Sequence, residues 1–108
     1  MDGGIASFRR VDRPEAVCLA VEGEIDLSVR DEFAEAITHL LGDAKSPAVL
    51  DLTCVTFFNS TGIGAVVDAQ RQAQRRDGQL VIEVSPSVRR VLEVTGLTDA
   101  FDLRDPNS

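Results

Sequence analysis

The chain has 108 residues, 44% of them hydrophobic, and a formal net charge of −7. This length and composition predict one globular domain over 1–108, with short loose tails at 1–4 and 105–108. The acidic balance and the lack of Tyr and Trp argue against direct nucleic-acid binding, because such a surface repels phosphates and offers few stacking platforms. No apolar run approaches the roughly 18 residues of a membrane helix, and no signal peptide is recognisable. We therefore expect a cytoplasmic protein without membrane insertion.

Strand-like and helix-like segments alternate along the chain. Five segments have the apolar content and flanking turns of strands, and they span 5–11, 16–23, 47–52, 79–84 and 101–103. Three segments have apolar residues at helical spacing, and they span 28–42, 60–76 and 85–96. The first two strands flank a turn at Pro14 and indicate a hairpin. The alternation predicts an α/β fold with a mixed, mostly parallel sheet of four or five strands, covered by three or four helices, mainly on one face.

Local signals mark the ends of the predicted helices. Ser28 and Asp31 have the spacing of a capping box at the start of the first helix. The segment 53–59 is predicted to be a loop before the second helix, which opens at Ser60. The inner face of that helix is expected to carry Ile63, Val66, Val67, Gln70 and Ala73.

Residues suited to catalysis or metal binding are sparse. Ser60 would need a neighbouring base to act as a nucleophile, and the single histidine, His39, lies late in the first predicted helix. Cys18 and Cys54 have no zinc-site spacing, so we interpret them as small buried apolar residues, with a redox pair left open. The glycines after Ser60 do not complete a dinucleotide or phosphate-loop motif. The sequence predicts no enzymatic activity, no metal site and no cofactor.

The polar segment 59–64 follows two phenylalanines and has two interpretations. In the first, Asn59 or Ser60 caps the second helix and the glycines allow close packing. In the second, a hydroxyl at this helix N-terminus is also an accessible point for phosphorylation, since free N–H groups and the helix dipole stabilise an anion.

Residues 51–64 read Asp-Leu-Thr-Cys-Val-Thr-Phe-Phe-Asn-Ser-Thr-Gly-Ile-Gly. This segment resembles the signature of anti-sigma factor antagonists of the STAS-domain type, roughly Asp-Leu-Ser-x-Val-x-Phe-Met-Asp-Ser-Ser/Thr-Gly-Leu-Gly. Two flanking blocks match the same family in order and spacing, namely Gly-Glu-Ile-Asp at 23–26 and a C-terminal block made of 78–82, 85–92 and 95–97. The resemblance therefore spans nearly the whole chain.

The resemblance implies a regulatory binding module. Members of the family bind an anti-sigma factor that is also a serine kinase, and this binding releases a sigma factor. The kinase phosphorylates a serine, which here would be Ser60, with Thr61 as the alternative acceptor, and the phosphate switches binding off. A PP2C-type phosphatase removes it again. By the same resemblance, the partner-binding surface would comprise Asp26, Asn59, Ser60, Thr61, Gly62 and Ile63.

The chain departs from the family pattern at Asn59, where Asp is usual. Asn caps a helix equally well, but it carries no charge, so we expect the departure to affect phosphorylation rather than folding. The alternative function is that of a non-switching STAS subunit of a stressosome-like scaffold or a lipid-transport complex. The acceptor-like sequence Asn-Ser-Thr-Gly at 59–62 favours the antagonist.

Overall fold

The computed structural model describes residues 6–43 and 47–105. The predicted tail 1–4, Ile5 and the last three residues of the other tail lie outside these ranges. The strands are β1 (Ala6–Arg13), β2 (Ala16–Ile25), β3 (Ala48–Phe58), β4 (Leu80–Val84) and β5 (Asp102–Arg104). The helices are α1 (Arg30–Asp43), α2 (Ser60–Arg75) and α3 (Pro86–Val94), with 3-10 turns at Leu27–Val29 and Thr98–Ala100.

The five strands form one sheet in the order β1-β2-β3-β4-β5. β1 pairs antiparallel with β2, and every later pair is parallel. Each parallel step is made through one helix, and all steps run in the same direction across the sheet. Because such crossovers are right-handed, the three helices lie on the same face. The predicted mixed α/β sheet with an N-terminal hairpin is thereby confirmed.

The main core fills the space between this face and the helices. Its most deeply buried side chains come from all three helices and the central strands, and they include Phe33, Ile37, Leu50, Leu52, Val66, Ile82, Val88 and Leu92. A smaller cluster of Cys18, Val49 and Val81 lies on the other face. These three residues are in register on β2, β3 and β4, so strand alternation alone directs them away from the helices.

An ion-pair network crosses that second face. The Arg13 guanidinium on β1 donates two hydrogen bonds, of 2.9 and 3.0 Å, to the two carboxylate oxygens of Glu83 on β4. Its Nη2 atom is also 3.9 Å from Oδ2 of Asp51 on β3. Such a two-pronged pair fits the planar guanidinium, and the Glu83 hydrogen bonds raise the pKa of Arg13 above its ordinary value. One side chain therefore links the edge hairpin to the fourth strand.

The third strand is longer than predicted, and the expectation of a loop at 53–59 is wrong. β3 continues to Phe58 because it stays paired with β2, ending at Ile25 opposite Phe58. Two register shifts between β2 and β3 interrupt the alternation of buried and exposed residues along β3. The period-2 pattern that identifies a strand in the sequence is therefore missing here.

The start of the first helix also differs from the prediction. The sequence favours Ser28 as the cap, but Asp26 occupies that position for the 3-10 turn Leu27–Val29, and α1 begins at Arg30. The Asp26 carboxylate accepts hydrogen bonds from the backbone N–H of Ser28 at 2.9 Å and from its hydroxyl at 2.6 Å. The Ser28 hydroxyl thus donates its hydrogen bond to Asp26, which precedes the helix.

The two cysteines have different environments. Cys18 is 1% exposed, as expected, and burial raises the pKa of its thiol. Cys54 is exposed, so its interpretation as a buried residue is wrong. Cys54 is in register with Glu22, four residues along β2 from Cys18, which corresponds to roughly 13 Å at strand spacing. Disulfides need Cα atoms within about 7 Å, so these two thiols do not form an intramolecular pair in this fold.

Candidate functional site

The candidate site lies where β2 and β3 end side by side. Asp26 and Asn59 are the residues that follow these two paired parallel strands. Each uses its side-chain oxygen to accept the backbone N–H two residues further on, at 2.9 Å for Ser28 and 3.0 Å for Thr61. Parallel pairing therefore brings together two turns of the same kind from segments that are distant in the sequence.

Ser60 is the first residue of α2 and is exposed. Asn59 precedes it with extended backbone angles, φ −126° and ψ −163°, and its carbonyl accepts the N–H of Ile63 at 3.0 Å. Asn59 is thus the N-cap, as one of the two sequence interpretations has it. Within 6–43 and 47–105, no hydrogen bond engages the Ser60 hydroxyl, whereas Thr61 is half-buried and its N–H is bonded to Asn59.

Close packing beneath Ser60 depends on Gly62. A Cβ atom at this position would lie 2.5, 2.7 and 2.8 Å from Cε1, Cδ1 and Cζ of Phe58, distances that real side chains do not tolerate. Gly62 is buried, and Phe58 is 7% exposed. The first turn of α2 therefore approaches the end of β3 only because residue 62 lacks a side chain. Gly64, with no atom within 4 Å of such a Cβ, has no comparable role.

The other residues predicted on α2 divide between the core and the surface of the site. Val66 and Ala73 are buried as predicted, and Gly62 and Ala69 join them on the inner face. Ile63 is partly buried and packs against the main core. Val67 and Gln70 are half-buried as well.

Two large apolar side chains are exposed beside these strand ends. Leu27, directly after Asp26, is 68% exposed, and Phe57, two residues before Asn59, is 48% exposed. Phe57 is in register with Glu24 on β2, so both side chains belong to the same end of the β2–β3 pair. Neither residue was predicted to have a role, because no local signal in the sequence marks it as exposed.

Features of other site types are lacking in the described part of the chain. No group of three or more His, Cys, Asp or Glu side chains is arranged to hold a metal ion there. None of its helices combines the length and apolar character needed to cross a membrane. His39 is exposed on α1 and lines a groove of about 430 Å³ between α1 and β1 that does not include Ser60.

Comparison with known proteins agrees with this architecture. The STAS domain family matches residues 7–106. The anti-sigma-B factor antagonist of Listeria monocytogenes is 34% identical over 88 residues, which cover 79% of this chain and 75% of that protein. A crystal structure of an anti-sigma factor antagonist from Mycobacterium paratuberculosis matches with a TM-score of 0.82 at 25% identity, covering 94% of this chain and 86% of that chain.

A third similar protein is the Bacillus cell fate determinant SpoIIAA, solved in its phosphorylated form. It matches with a TM-score of 0.67 at 20% identity, and the match covers 94% of both chains. At this level of identity, the match supports the fold alone. The family match extends over nearly the whole described chain, and the Listeria and Mycobacterium relatives are both described as anti-sigma factor antagonists. The chain belongs to the STAS-domain family of anti-sigma factor antagonists.

Proposed function

We propose that the unphosphorylated protein binds an anti-sigma factor with serine kinase activity and so releases a sigma factor, and that phosphorylation of Ser60 switches this binding off. The observation that carries the proposal is the position of Ser60. Its side chain is exposed at the first turn of α2, beside the paired ends of β2 and β3. Family membership supports the class of partner, and the Bacillus relative SpoIIAA has been solved in a phosphorylated form.

Ser60 is favoured over Thr61 as the acceptor because a kinase must reach the hydroxyl. Ser60 is exposed, whereas Thr61 is half-buried and is tied to the Asn59 side chain through its N–H. We infer that the partner-binding surface is centred on Ser60 and extends over Asp26, Asn59, Thr61 and the exposed part of Ile63. Gly62 supports it from below, through its contact with Phe58.

The physical basis of the switch is the charge that a phosphate brings. Phosphorylation adds about −1.5 to −2 charges at neutral pH. The fold accommodates it, since the N-terminus of a 16-residue helix favours an anion. Binding to the partner is weakened by the phosphate, because the partner must desolvate the dianion. A penalty of about 3–4 kcal/mol lowers affinity several-hundred-fold.

Asn59 changes the electrostatics of this switch. In a chain with Asp at the same position, a carboxylate would stand at the cap next to the phosphoserine, and like charges would repel. Asn59 makes the same capping hydrogen bond, at 3.0 Å to the N–H of Thr61, without that repulsion. We therefore propose that the fold tolerates phosphorylated Ser60 well. In line with the family resemblance, we also propose that a PP2C-type phosphatase in the cytoplasm removes the phosphate.

The test is intact-mass spectrometry after incubation with ATP and each serine-kinase anti-sigma factor of the host. Wild type is expected to gain one phosphate, and the Ser60→Ala variant none, while Thr61→Ala is still modified. A phosphate that persists in Ser60→Ala and disappears in Thr61→Ala would move the acceptor to Thr61.

If wild type gains no phosphate with any of these kinases, and a pull-down still recovers a partner, the switch is refuted. The non-switching subunit of a scaffold or a lipid-transport complex then becomes the better explanation. Asn59→Asp would be the next variant to incubate with the kinases, because it restores the usual acidic residue of the pattern.

A further inference from the structure

Three large apolar side chains are exposed in the described ranges, whereas the others there are buried or partly buried. The exposed ones are Leu27, Phe57 and Val94. Two of these three lie at the end of the β2–β3 pair that carries Asp26 and Asn59, whereas Val94 is the last residue of α3. Exposed apolar side chains that gather at one place, beside polar groups, are typical of surfaces that bind another protein.

Folding does not account for the exposure of Leu27. The turn that holds it is fixed by the hydrogen bonds of Asp26 to Ser28, and by the 3.2 Å bond from the N–H of Val29 to the carbonyl of Asp26. Val29 anchors the same turn in the core and is buried. The turn is therefore complete without a large side chain at position 27, and 68% of the Leu27 surface remains in water.

Phe57 is likewise not needed for the core. Its neighbour Phe58 takes the inward position and packs against Gly62. β4 ends opposite Leu52, so among the described strands this part of β3 pairs with β2 alone, and Phe57 lies next to Glu24 in the ladder. An aromatic residue suits a strand, but a smaller β-branched residue would suit this exposed position as well.

We propose that Leu27 and Phe57 are the apolar anchors by which the protein binds its anti-sigma factor. This inference rests on the proposed function, because both anchors lie at the end of the β2–β3 pair where Ser60 begins α2. Phe57 precedes Ser60 by three residues, and Leu27 lies two residues after Ile25, where the strand paired with β3 ends. We expect a partner whose apolar patch covers both anchors to cover Ser60 as well and to remove its water.

An apolar contact over Ser60 would explain why the phosphorylated protein does not bind the anti-sigma factor. A dianion under an apolar contact must lose its hydration, and that cost does not depend on dissolved salt. Repulsion by acidic groups of a partner that stay in contact with water would instead be screened, since the Debye length falls from roughly 14 Å to about 4 Å between 0.05 and 0.5 M salt. Raising the salt is therefore expected to leave the affinity ratio of unphosphorylated to phosphorylated protein within about threefold.

The test measures binding to the anti-sigma factor by calorimetry for Leu27→Ser, Phe57→Thr and the double variant. Val94→Ser is the matched control, because Val94 is 78% exposed but lies at the end of α3. Each anchor variant is expected to bind at least about tenfold more weakly and the double variant about 100-fold, as for interface hot spots. The control should match wild type, and all melting temperatures should stay within a few degrees.

Anchor variants that bind as tightly as wild type would overturn this inference and leave the proposed function standing. Wild-type protein that binds no anti-sigma factor would overturn both. If Phe57→Thr does not fold, Leu27→Ser decides the result, because the turn at Leu27 is held by backbone hydrogen bonds, Asp26 contacts and the buried Val29 side chain. Strong recovery of phosphoprotein binding at 0.5 M salt would show that repulsion, rather than an apolar cover over Ser60, excludes the phosphate.

Discussion

Replacing Gly62 with alanine tests the packing that holds the first turn of α2 against β3. The added Cβ atom would lie 2.5 to 2.8 Å from three ring atoms of Phe58. Because this ring is only 7% exposed, it has little room to move, and overpacking of this kind costs about 1–3 kcal/mol. The higher helix propensity of alanine offsets up to about 1 kcal/mol of this loss in the free energy of unfolding. The net loss should be about 1–2 kcal/mol, or a melting temperature lower by roughly 5–10 °C.

Gly64→Ala is the matched control on the same helix. Its added Cβ atom meets no atom within 4 Å, so only the propensity gain of up to about 1 kcal/mol should remain. Urea unfolding followed by circular dichroism measures both variants. Phe58→Leu should restore part of the stability of Gly62→Ala, because the collision and its relief belong to one contact. Equal stability of the two alanine variants, or no coupling with Phe58→Leu, would refute the packing argument.

Further predictions concern the second sheet face, the cap and the thiols. Arg13→Met should lower the free energy of unfolding by about 1 kcal/mol, since Glu83 loses two hydrogen bonds at a partly exposed site; an unchanged urea midpoint would contradict this. Asn59→Ala should cost about 1 kcal/mol by removing the cap on Thr61, whereas Asn59→Asp should be neutral, as thermal unfolding can check. At pH 8, iodoacetamide should modify exposed Cys54 and spare Cys18, whose burial raises its thiol pKa; equal labelling by peptide mass mapping would disprove the assigned environments. For the same reason, stability should fall as the pH rises above 9.0, the ordinary pKa of the thiol, because only the unfolded chain then ionises Cys18 freely.

The element order could be predicted from the sequence because it rests on local signals. Pro14 marks the hairpin turn, and Pro86 after Ser85 marks the start of α3, whose first turn Ser85 caps. The cap at Asn59 and the helical spacing that follows it predicted α2 to within one residue at each end. Such signals act through the φ angle of proline, the first free N–H groups of a helix and the 3.6-residue period, which require no partner from elsewhere in the chain.

The candidate site was only partly predictable. The segment around Ser60 was identified by its resemblance to a family, and the exposure of Ser60 is a property of the folded chain. Leu27 and Phe57 carry no local signal that distinguishes an exposed apolar residue from a buried one. Their environment depends on where β4 ends and on which residue of the β3 end faces inward.

Local sequence thus determined the order of strands and helices and where α2 and α3 start. Tertiary structure decided how far β3 runs, that Asp26 and Asn59 directly follow neighbouring strands, and that Arg13 reaches Glu83, 70 residues further along the chain. The physical reason is that strand register and cross-strand contacts are set by pairing between distant segments. No window of sequence contains both partners of such a pair, so the site at the end of β2 and β3 exists only in the folded protein.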